Sequence, residues 1–306
     1  MIAVSKPPRL RPGDRVHVVT PASPVRREMF EQGVSVLRGL GFEVRHGDVF
    51  HKWRYLAGTD QHRRAQLQAA LDDPECRAVF FARGGYGSIR LLADAHSFSV
   101  PGKPRILHGA SDITVLHQYF QRVHGWVVFH GPMPSGDFAR GQLHIPSFRL
   151  ALMESNPYPL EPEGVEILSP GSAAGRLTGG CLTLLHSCLN TPWEPDWHDA
   201  IVFLEDVSVK PYQIDRMLTH LRIAGKFNEV RAVVFGEMKD CIQVENQDYT
   251  LQEVILDVLG GLGVPIFFGF PSGHVSGPNW TLPLGVRARV TSHPAFRLEI
   301  LEGAVE

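Results

Sequence analysis

Residues 105–117 read Arg-Ile-Leu-His-Gly-Ala-Ser-Asp-Ile-Thr-Val-Leu-His, and this stretch carries the clearest signal for the fold. A short apolar run ends at Gly109, and Ser111 stands where a helix can begin. Asp112 and Thr114 suit a first helical turn, because acidic and hydroxyl side chains interact favourably with the free backbone amides there. The stretch therefore predicts a strand, a tight turn and a helix, with a serine at the turn.

The serine at position 111 has two interpretations. A sharp turn between strand and helix lifts a hydroxyl above a sheet beside free N–H groups, as in the Gly-x-Ser-x-Gly turn of α/β-hydrolases. The second glycine of that motif is absent here, because Ile113 occupies its place. Ser111 is then either a nucleophile or an ordinary helix N-cap, and spacing alone does not separate the two.

The segments before this turn alternate between strand and helix patterns. Apolar runs and helical periodicity predict strands at residues 15–20, 42–45 and 78–82 and helices at residues 26–40 and 61–72. This rhythm predicts a parallel sheet with helices on both faces. Working residues of such sheets gather beyond the carboxyl ends of the strands, so residues 84–87 and Ser111 are expected to face one another across a crevice.

A change of composition divides the chain. Residues 131–170 are rich in proline, glycine and polar residues and lack long periodic elements, which predicts a linker. Strand and helix patterns resume at residue 172, and a β pair is expected near the C-terminus. We therefore expect an α/β fold with an N-terminal parallel-sheet domain over residues 1–135, a linker over residues 136–170, and a C-terminal α/β domain with mixed β structure over residues 171–306.

Composition excludes several function classes. The 306 residues include 30 Lys and Arg against 32 Asp and Glu, without a basic stripe, which argues against nucleic acid or an anionic membrane as the main partner. The four cysteines show no Cys-x-x-Cys pair and no zinc spacing, and they indicate a reducing compartment. No secretory signal or membrane span is recognisable, so we expect a cytoplasmic protein.

Glycines at positions 84, 85 and 87 follow a predicted strand and precede a short helix. Glycine permits positive φ and a close approach of backbone to ligand. The spacing matches neither a P-loop nor a dinucleotide fingerprint. The loop is therefore a phosphate site of another kind, an oxyanion hole that aims a backbone N–H at developing charge, or simply a tight connection.

Two acidic residues, Glu205 and Asp206, end the predicted buried strand at residues 200–204. A carboxylate there is either solvated or holds the imidazole of a general base in its working tautomer. Sequence spacing does not choose between Glu205 and Asp206.

Three of the fifteen histidines stand out by position. His274 lies in a turn-rich loop after an apolar strand, where a mobile imidazole reaches a nucleophile and titrates near neutrality. A surface or core role is the alternative for His274. His108 and His117 flank Ser111 in sequence, but a general base usually comes from elsewhere in the fold.

Five segments, in this order, resemble the L,D-carboxypeptidase family of serine peptidases, which includes murein tetrapeptide carboxypeptidases and microcin-immunity hydrolases. The segments are residues 55–60 (Tyr-Leu-Ala-Gly-Thr-Asp), 82–87 (Ala-Arg-Gly-Gly-Tyr-Gly) with 90–92, 109–114 (Gly-Ala-Ser-Asp-Ile-Thr), 204–207 with 211–218, and 273–274 with Asn279 and 282–285. They extend from about residue 12 to residue 290, nearly the whole chain.

The resemblance implies a Ser-His-Glu triad. Ser111 falls on the nucleophile, His274 on the base and Glu205 on the acidic member. The backbone N–H groups of Gly85 and Asp112 fall on the oxyanion hole. The resemblance further implies an active site between the two domains, a homodimer, and no metal or other cofactor.

The activity implied is release of a C-terminal D-amino acid, D-Ala, from murein tetrapeptides in peptidoglycan recycling. Two alternatives stay open: hydrolysis of aminoacyl or peptidyl nucleotide conjugates, and a non-catalytic protein that binds peptidoglycan fragments. Arg83 is the nearest cation in sequence for a substrate carboxylate, although a surface or packing role is equally compatible. The sequence departs from the family at Ala110, where Phe or Tyr is common, and at Cys181, where Asn is common.

Overall fold

The first part of the chain alternates strands and helices around one sheet. The computed structural model describes residues 3–93, 98–100, 102–243 and 247–306. The elements are β1 (Arg15–Val19), α1 (Arg27–Gly39), β2 (Glu43–Arg45), α2 (Asp60–Asp72), β3 (Cys76–Phe81), a 3-10 helix (Ser88–Leu92), β4 (Ile106–Gly109), a 3-10 turn (Ser111–Ile113), α3 (Thr114–His124) and β5 (Val128–His130). These strands run parallel in the order β5-β4-β3-β1-β2, so their carboxyl ends lie at one edge.

The rest of the chain builds a second sheet of mixed direction. Its elements are a π-type turn (Pro134–Phe138), α4 (Ile145–Met153), β6 (Tyr158–Leu160), β7 (Glu166–Ser169), β8 (Ser172–Cys181), α5 (Leu182–Ser187), β9 (Ala200–Glu205), α6 (Pro211–Ile223), β10 (Ala232–Gly236), α7 (Leu251–Leu259), a 3-10 turn (Gly260–Leu262), β11 (Ile266–Phe270), β12 (Leu282–Leu284), β13 (Arg287–Thr291) and β14 (Arg297–Ile300). Strands β8, β9, β10 and β11 are parallel, and antiparallel strands extend the sheet on both sides in the order β6-β14-β13-β8-β9-β10-β11-β7. The predicted α/β class is confirmed, with a mostly parallel first sheet and a mixed second one.

The stretch interpreted as a linker carries regular structure. It contains α4 and the strands β6 and β7, which pair at opposite edges of the second sheet. Proline does not prevent this, because Pro146 lies in the first turn of α4, where a missing N–H costs no hydrogen bond. Pro159 lies in the edge strand β6, where proline is tolerated.

Strand β12 returns the chain from the second sheet to the first. It pairs antiparallel with β5, with Leu282 opposite His130. The loop that contains His274 is therefore anchored in the second sheet through β11 and in the first sheet through β12. A large apolar core continues across both sheets, from Phe80 of β3 to Phe203 of β9.

No helix in the described residues is long and apolar enough to cross a membrane.

Candidate active site

Ser111 lies in a sharp turn at the carboxyl end of β4. Its φ is +63°, in the left-handed region that residues other than glycine rarely adopt. The residue begins the 3-10 turn that runs into α3, and no side-chain cap closes that turn. The geometry therefore differs from the ordinary N-cap interpretation and matches a strand–turn–helix that holds a hydroxyl out of the sheet.

The glycine loop after β3 packs directly on this serine. A β-carbon at Gly84 would lie 2.7 Å from Ser111 Cβ, 2.8 Å from Ser111 Oγ and 3.2 Å from the Asp112 nitrogen. Gly85 has a φ of +102° and faces Ser23, whose hydroxyl accepts a hydrogen bond from the Tyr86 amide at 3.2 Å. The glycines allow the loop backbone to approach the serine turn, as the crevice prediction requires.

A buried arginine holds the glycine loop from behind. Arg63 of α2 is fully buried and donates to the Gly87 carbonyl at 2.8 Å, to the Pro21 carbonyl and to Asp60. Asp60 also pairs with Arg90, at 2.9 Å to Nε and 2.6 Å to Nη2. These hydrogen bonds thus join the segments at residues 55–60 and 82–92 and hold the glycine loop, residues 84–87, in place.

Glu205 and His274 form a hydrogen-bonded pair. Glu205 ends β9, is fully buried, and its Oε2 accepts from His274 Nδ1 at 2.7 Å and from the His274 backbone N–H at 2.9 Å. With Nδ1 engaged, the imidazole has Nε2 free to exchange a proton with a second group. This arrangement orients an imidazole as a general base is oriented in a triad.

The loop around His274 is shaped to meet the carboxylate. Gly273 has a φ of +92°, and a β-carbon there would lie 2.5 Å from Glu205 Oε2. Gly236 leaves space on the other side of this carboxylate, because a β-carbon there would lie 2.7 Å from Glu205 Cβ. The buried amide of Asn279 closes the loop by accepting from the Gly273 N–H at 3.1 Å and donating to the Gly273 carbonyl at 2.7 Å.

Pairing shifts the pKa values of both groups in the directions that favour their charged forms. Burial by itself lowers the pKa of His274, but the charge and hydrogen bond of Glu205 outweigh it and raise the pKa to about 9. Burial by itself raises the pKa of Glu205, and the His274 charge and hydrogen bond outweigh it, so that pKa is lowered. Glu205 is therefore the ionised partner of the imidazole.

Asp206, the other strand-end carboxylate, serves a different element. Its Oδ2 accepts from the Thr183 backbone N–H at 2.8 Å and from the Thr183 hydroxyl at 2.7 Å. Its Oδ1 accepts from the Val207 N–H at 2.9 Å. Asp206 thus fixes the start of α5, and Glu205 alone of the two hydrogen-bonds to His274.

The two histidines that flank Ser111 in sequence lie in the core. His108 is fully buried, its Nε2 lies 3.3 Å from Thr281 Oγ1, and burial lowers its pKa to about 3. His117 is fully buried on α3, and burial lowers its pKa well below the ordinary value. Both imidazoles are therefore neutral core groups.

Ser111, Gly85 and His274 line one cavity of about 750 Å³. Charged side chains also line it: Arg26, Arg83, Arg140, Lys239, Asp137 and Asp240. Arg83 donates to the Pro24 carbonyl at 3.0 Å. Sequence reasoning found Arg83 but missed the other cations, because they come from distant segments. Within the described ranges, no group of three or more His, Cys, Asp or Glu side chains is placed to hold a metal ion.

The second sheet reaches the serine helix through Cys181. Residues 179–181 end β8, and α5 begins at Leu182. Gly180 has a φ of +139°, and a β-carbon there would lie 2.7 Å from Thr114. The Cys181 N–H donates to Thr114 Oγ1 at 3.1 Å and so joins β8 of the second sheet to α3. This bond uses the backbone of residue 181 and does not depend on its side chain.

Comparisons with known proteins agree with this architecture. A family model described as the LD-carboxypeptidase N-terminal domain matches residues 16–131, and one described as the LD-carboxypeptidase C-terminal domain matches residues 174–290. A probable murein peptide carboxypeptidase of Bacillus subtilis is 35% identical over 306 residues, which cover 98% of this chain and 95% of that protein.

Solved structures give the same result. The muramoyltetrapeptide carboxypeptidase of Oxalobacter formigenes is 28% identical with a TM-score of 0.82, covering 94% of this chain and 99% of that one. An MccF-like protein of Bacillus anthracis is 26% identical with a TM-score of 0.86, covering 97% and 99%. The two domain matches and the full-length relative together show that this chain belongs to the LD-carboxypeptidase family of peptidases.

Proposed function

We propose that this protein is a serine-type L,D-carboxypeptidase that releases C-terminal D-Ala from murein tetrapeptides. The observation that carries the proposal is the cavity shared by Ser111 and His274, with Glu205 hydrogen-bonded behind the imidazole. The names of the Bacillus subtilis and Oxalobacter formigenes proteins support the choice of substrate.

The chemistry follows from the roles of the three side chains. Ser111 Oγ attacks the carbonyl before D-Ala while His274 Nε2 accepts the hydroxyl proton. The imidazolium then returns this proton to the leaving amine, and D-Ala departs from an acyl-enzyme. Water attacks the ester with the same base, which releases the tripeptide and restores Ser111. Glu205 orients the imidazole and stabilises its charged form.

Charge on the carbonyl oxygen requires donors beside Ser111. The backbone N–H groups of Gly85 and Asp112 are the proposed oxyanion hole, since Gly84 brings the glycine loop against the Asp112 amide. Each such donor contributes about 3 kcal/mol to transition-state stabilisation.

The charge of the cavity suits an anionic peptide. Four basic side chains and two acidic ones are among the described residues that line it. A terminal carboxylate is therefore attracted to the cavity, and Arg83 is our candidate for holding it. A tetrapeptide ending in D-alaninamide should then be cleaved with lower kcat/KM than the free acid.

One experiment separates the proposal from its rivals. Wild-type protein and Ser111→Ala are incubated with a murein tetrapeptide and, separately, with an aminoacyl-sulfamoyl adenylate. Release of D-Ala by wild type alone supports the peptidase. Cleavage of the adenylate alone would assign the chain the alternative activity on nucleotide conjugates. Tight tetrapeptide binding by both proteins without turnover would make it a binding protein.

A further inference from the structure

A third buried histidine lies directly behind the proposed triad. His130 is the last residue of β5, beside Gly109 of β4 and Leu282 of β12, and it is fully buried. Its ring meets Phe203 of β9 edge-to-face, with centroids 5.3 Å apart. Its Nε2 lies 3.9 Å from Glu205 Oε1, the carboxylate oxygen that His274 does not use. The first sheet thus presents an imidazole to the acid of the second sheet.

The two facing atoms have no other partner within the described part of the chain. Among the described residues, Glu205 Oε1 accepts no hydrogen bond, and neither ring nitrogen of His130 makes one. A buried carboxylate oxygen without a donor is costly, because its hydration is lost and not replaced. The separation of 3.9 Å exceeds a hydrogen bond. A movement of about 1 Å brings them to a normal N–H···O distance.

The charge states of the neighbouring groups decide which of the two facing atoms donates a proton to the contact and which accepts it. His130 is surrounded by Glu205 on β9, His274 on the loop, His108 on β4 and His117 on α3. Burial lowers the pKa of His130 to about 4, so its imidazole is neutral near pH 7. An ionised carboxylate only accepts hydrogen bonds, so the nitrogen that faces it must carry the proton. A direct contact with ionised Glu205 therefore requires the Nε2–H tautomer of His130.

We propose that His130 is a positioning residue that donates its Nε2–H to Glu205 Oε1 and keeps Oε2 directed at His274. This inference rests on the proposed function, because it acts through the same triad. A carboxylate held at both oxygens cannot rotate away from the imidazole. Without His130, Oε1 of Glu205 has no donor, and the ionised carboxylate is less stable. The carboxylate is then also free to rotate, so the His274 imidazolium loses its best-placed counter-charge. The effect belongs to the chemical step and not to substrate binding.

The test compares His130→Gln with His130→Met, two side chains of similar length of which only glutamine offers an N–H donor. We expect His130→Met to lower kcat on the tetrapeptide about 100-fold with KM nearly unchanged, the size of effect that a misplaced catalytic group produces. The acidic limb of its kcat/KM profile should move towards lower pH. His130→Gln should restore most of the rate and the wild-type limb. His117→Met, another buried histidine exchange on α3, controls for lost core packing and should keep the wild-type limb.

A second measurement needs neither turnover nor a folded methionine variant. Imidazole ¹⁵N spectra of wild type, with the His130 signals identified by their absence in His130→Gln, report the tautomer directly. A neutral Nε2–H signal supports the inference, and a neutral Nδ1–H signal overturns it. Equal losses of kcat in His130→Met and His117→Met, or a wild-type rate in His130→Met, also overturn it. Labelling of Ser111 by a fluorophosphonate separates failure of this inference from failure of the proposed function. If wild type is labelled but does not cleave the tetrapeptide, only the proposed substrate is rejected. The labelling rates of the variants then replace kcat in the comparison.

Discussion

At the residue scale, the balance between burial and pairing decides what Glu205 and His274 can do. Burial alone would neutralise both groups, yet the hydrogen bond of 2.7 Å and the opposite charge favour their ionised forms. In the proposed mechanism, this counter-charge stabilises the imidazolium that forms when Ser111 loses its proton. The same counter-charge keeps the resting imidazole protonated to higher pH.

This balance predicts an unusual pH dependence. His274 must be neutral to accept the Ser111 proton, and its pKa is raised to about 9. We therefore expect kcat/KM to rise with pH well beyond the ordinary imidazole value of about 6.5, to be half-maximal near the raised pKa of His274 and to level off only above it. Initial rates on the tetrapeptide across this range test it. A limb centred at the ordinary value would show that Glu205 does not raise the pKa of the working base.

The two neighbouring carboxylates should respond differently to substitution. Glu205→Gln removes the counter-charge, so we expect kcat to fall about 10³- to 10⁴-fold and the acidic limb to move to lower pH. Asp206→Asn is the matched control, since it loses acceptors for Thr183 at the start of α5. It should cost about 1–3 kcal/mol of unfolding free energy and move the limb less than Glu205→Gln does, because the charge of Asp206 raises the pKa of His274 by less than that of Glu205. The opposite pattern in rates would mean that Asp206 is the working acid.

At the scale of elements, the site is built at the carboxyl ends of strands. The loop after β3, the turn after β4, the end of β9 and the loop after β11 supply Gly85, Ser111, Glu205 and His274. Each approach is tight enough to require glycine at a particular place. The loop after β3 shows this most clearly, because Gly84 lies against the serine itself.

Gly84→Ala should therefore damage catalysis more than folding. The new β-carbon would lie 2.7 Å from Ser111 Cβ and 2.8 Å from Ser111 Oγ, so the serine turn or the glycine loop must move. We expect kcat to fall about 100-fold, as for a catalytic group displaced by about 1 Å. Gly39→Ala is the control, because no atom of the residues that the structure describes lies within 4 Å of its β-carbon. Equal kcat values for the two variants, measured with thermal unfolding, would contradict the proposed contact.

At the scale of the whole molecule, the site depends on how the two sheets meet. The chain crosses from β11 to β12 around His274, and the Cys181 N–H reaches Thr114 one turn after Ser111. His130 and Glu205 face each other at the same junction. The proposed nucleophile and its proposed base therefore come from elements of different sheets, which meet at this junction.

Thr114→Val tests the strength of this junction. Valine keeps the shape of threonine but leaves the buried Cys181 N–H without its acceptor, so we expect a loss of about 1–3 kcal/mol in unfolding free energy. Thr219→Val, which removes a half-buried hydroxyl bonded to Asp215 on α6, should cost less than about 0.5 kcal/mol. Denaturant titration of both variants measures the difference. Equal costs would show that the Thr114 contact does not hold the sheets together.

The sequence by itself determined the α/β class, the strand–turn–helix at Ser111 and the order of the segments that mark the family. These are local signals: apolar runs, helical periodicity and glycines at strand ends act over a few residues. Such patterns did not predict α4 and β6, each of which contains one proline, because proline is tolerated in a first helical turn and in an edge strand.

Only the tertiary structure decided which strand-end carboxylate meets His274 and which histidine stands behind that carboxylate. Glu205 and Asp206 are adjacent in sequence, but consecutive side chains at a strand end point in different directions, towards His274 and towards Thr183. His130 lies 75 residues from Glu205 in sequence and 3.9 Å from it in space. A contact between two sheets has no local pattern, because it arises when distant segments pack against one another.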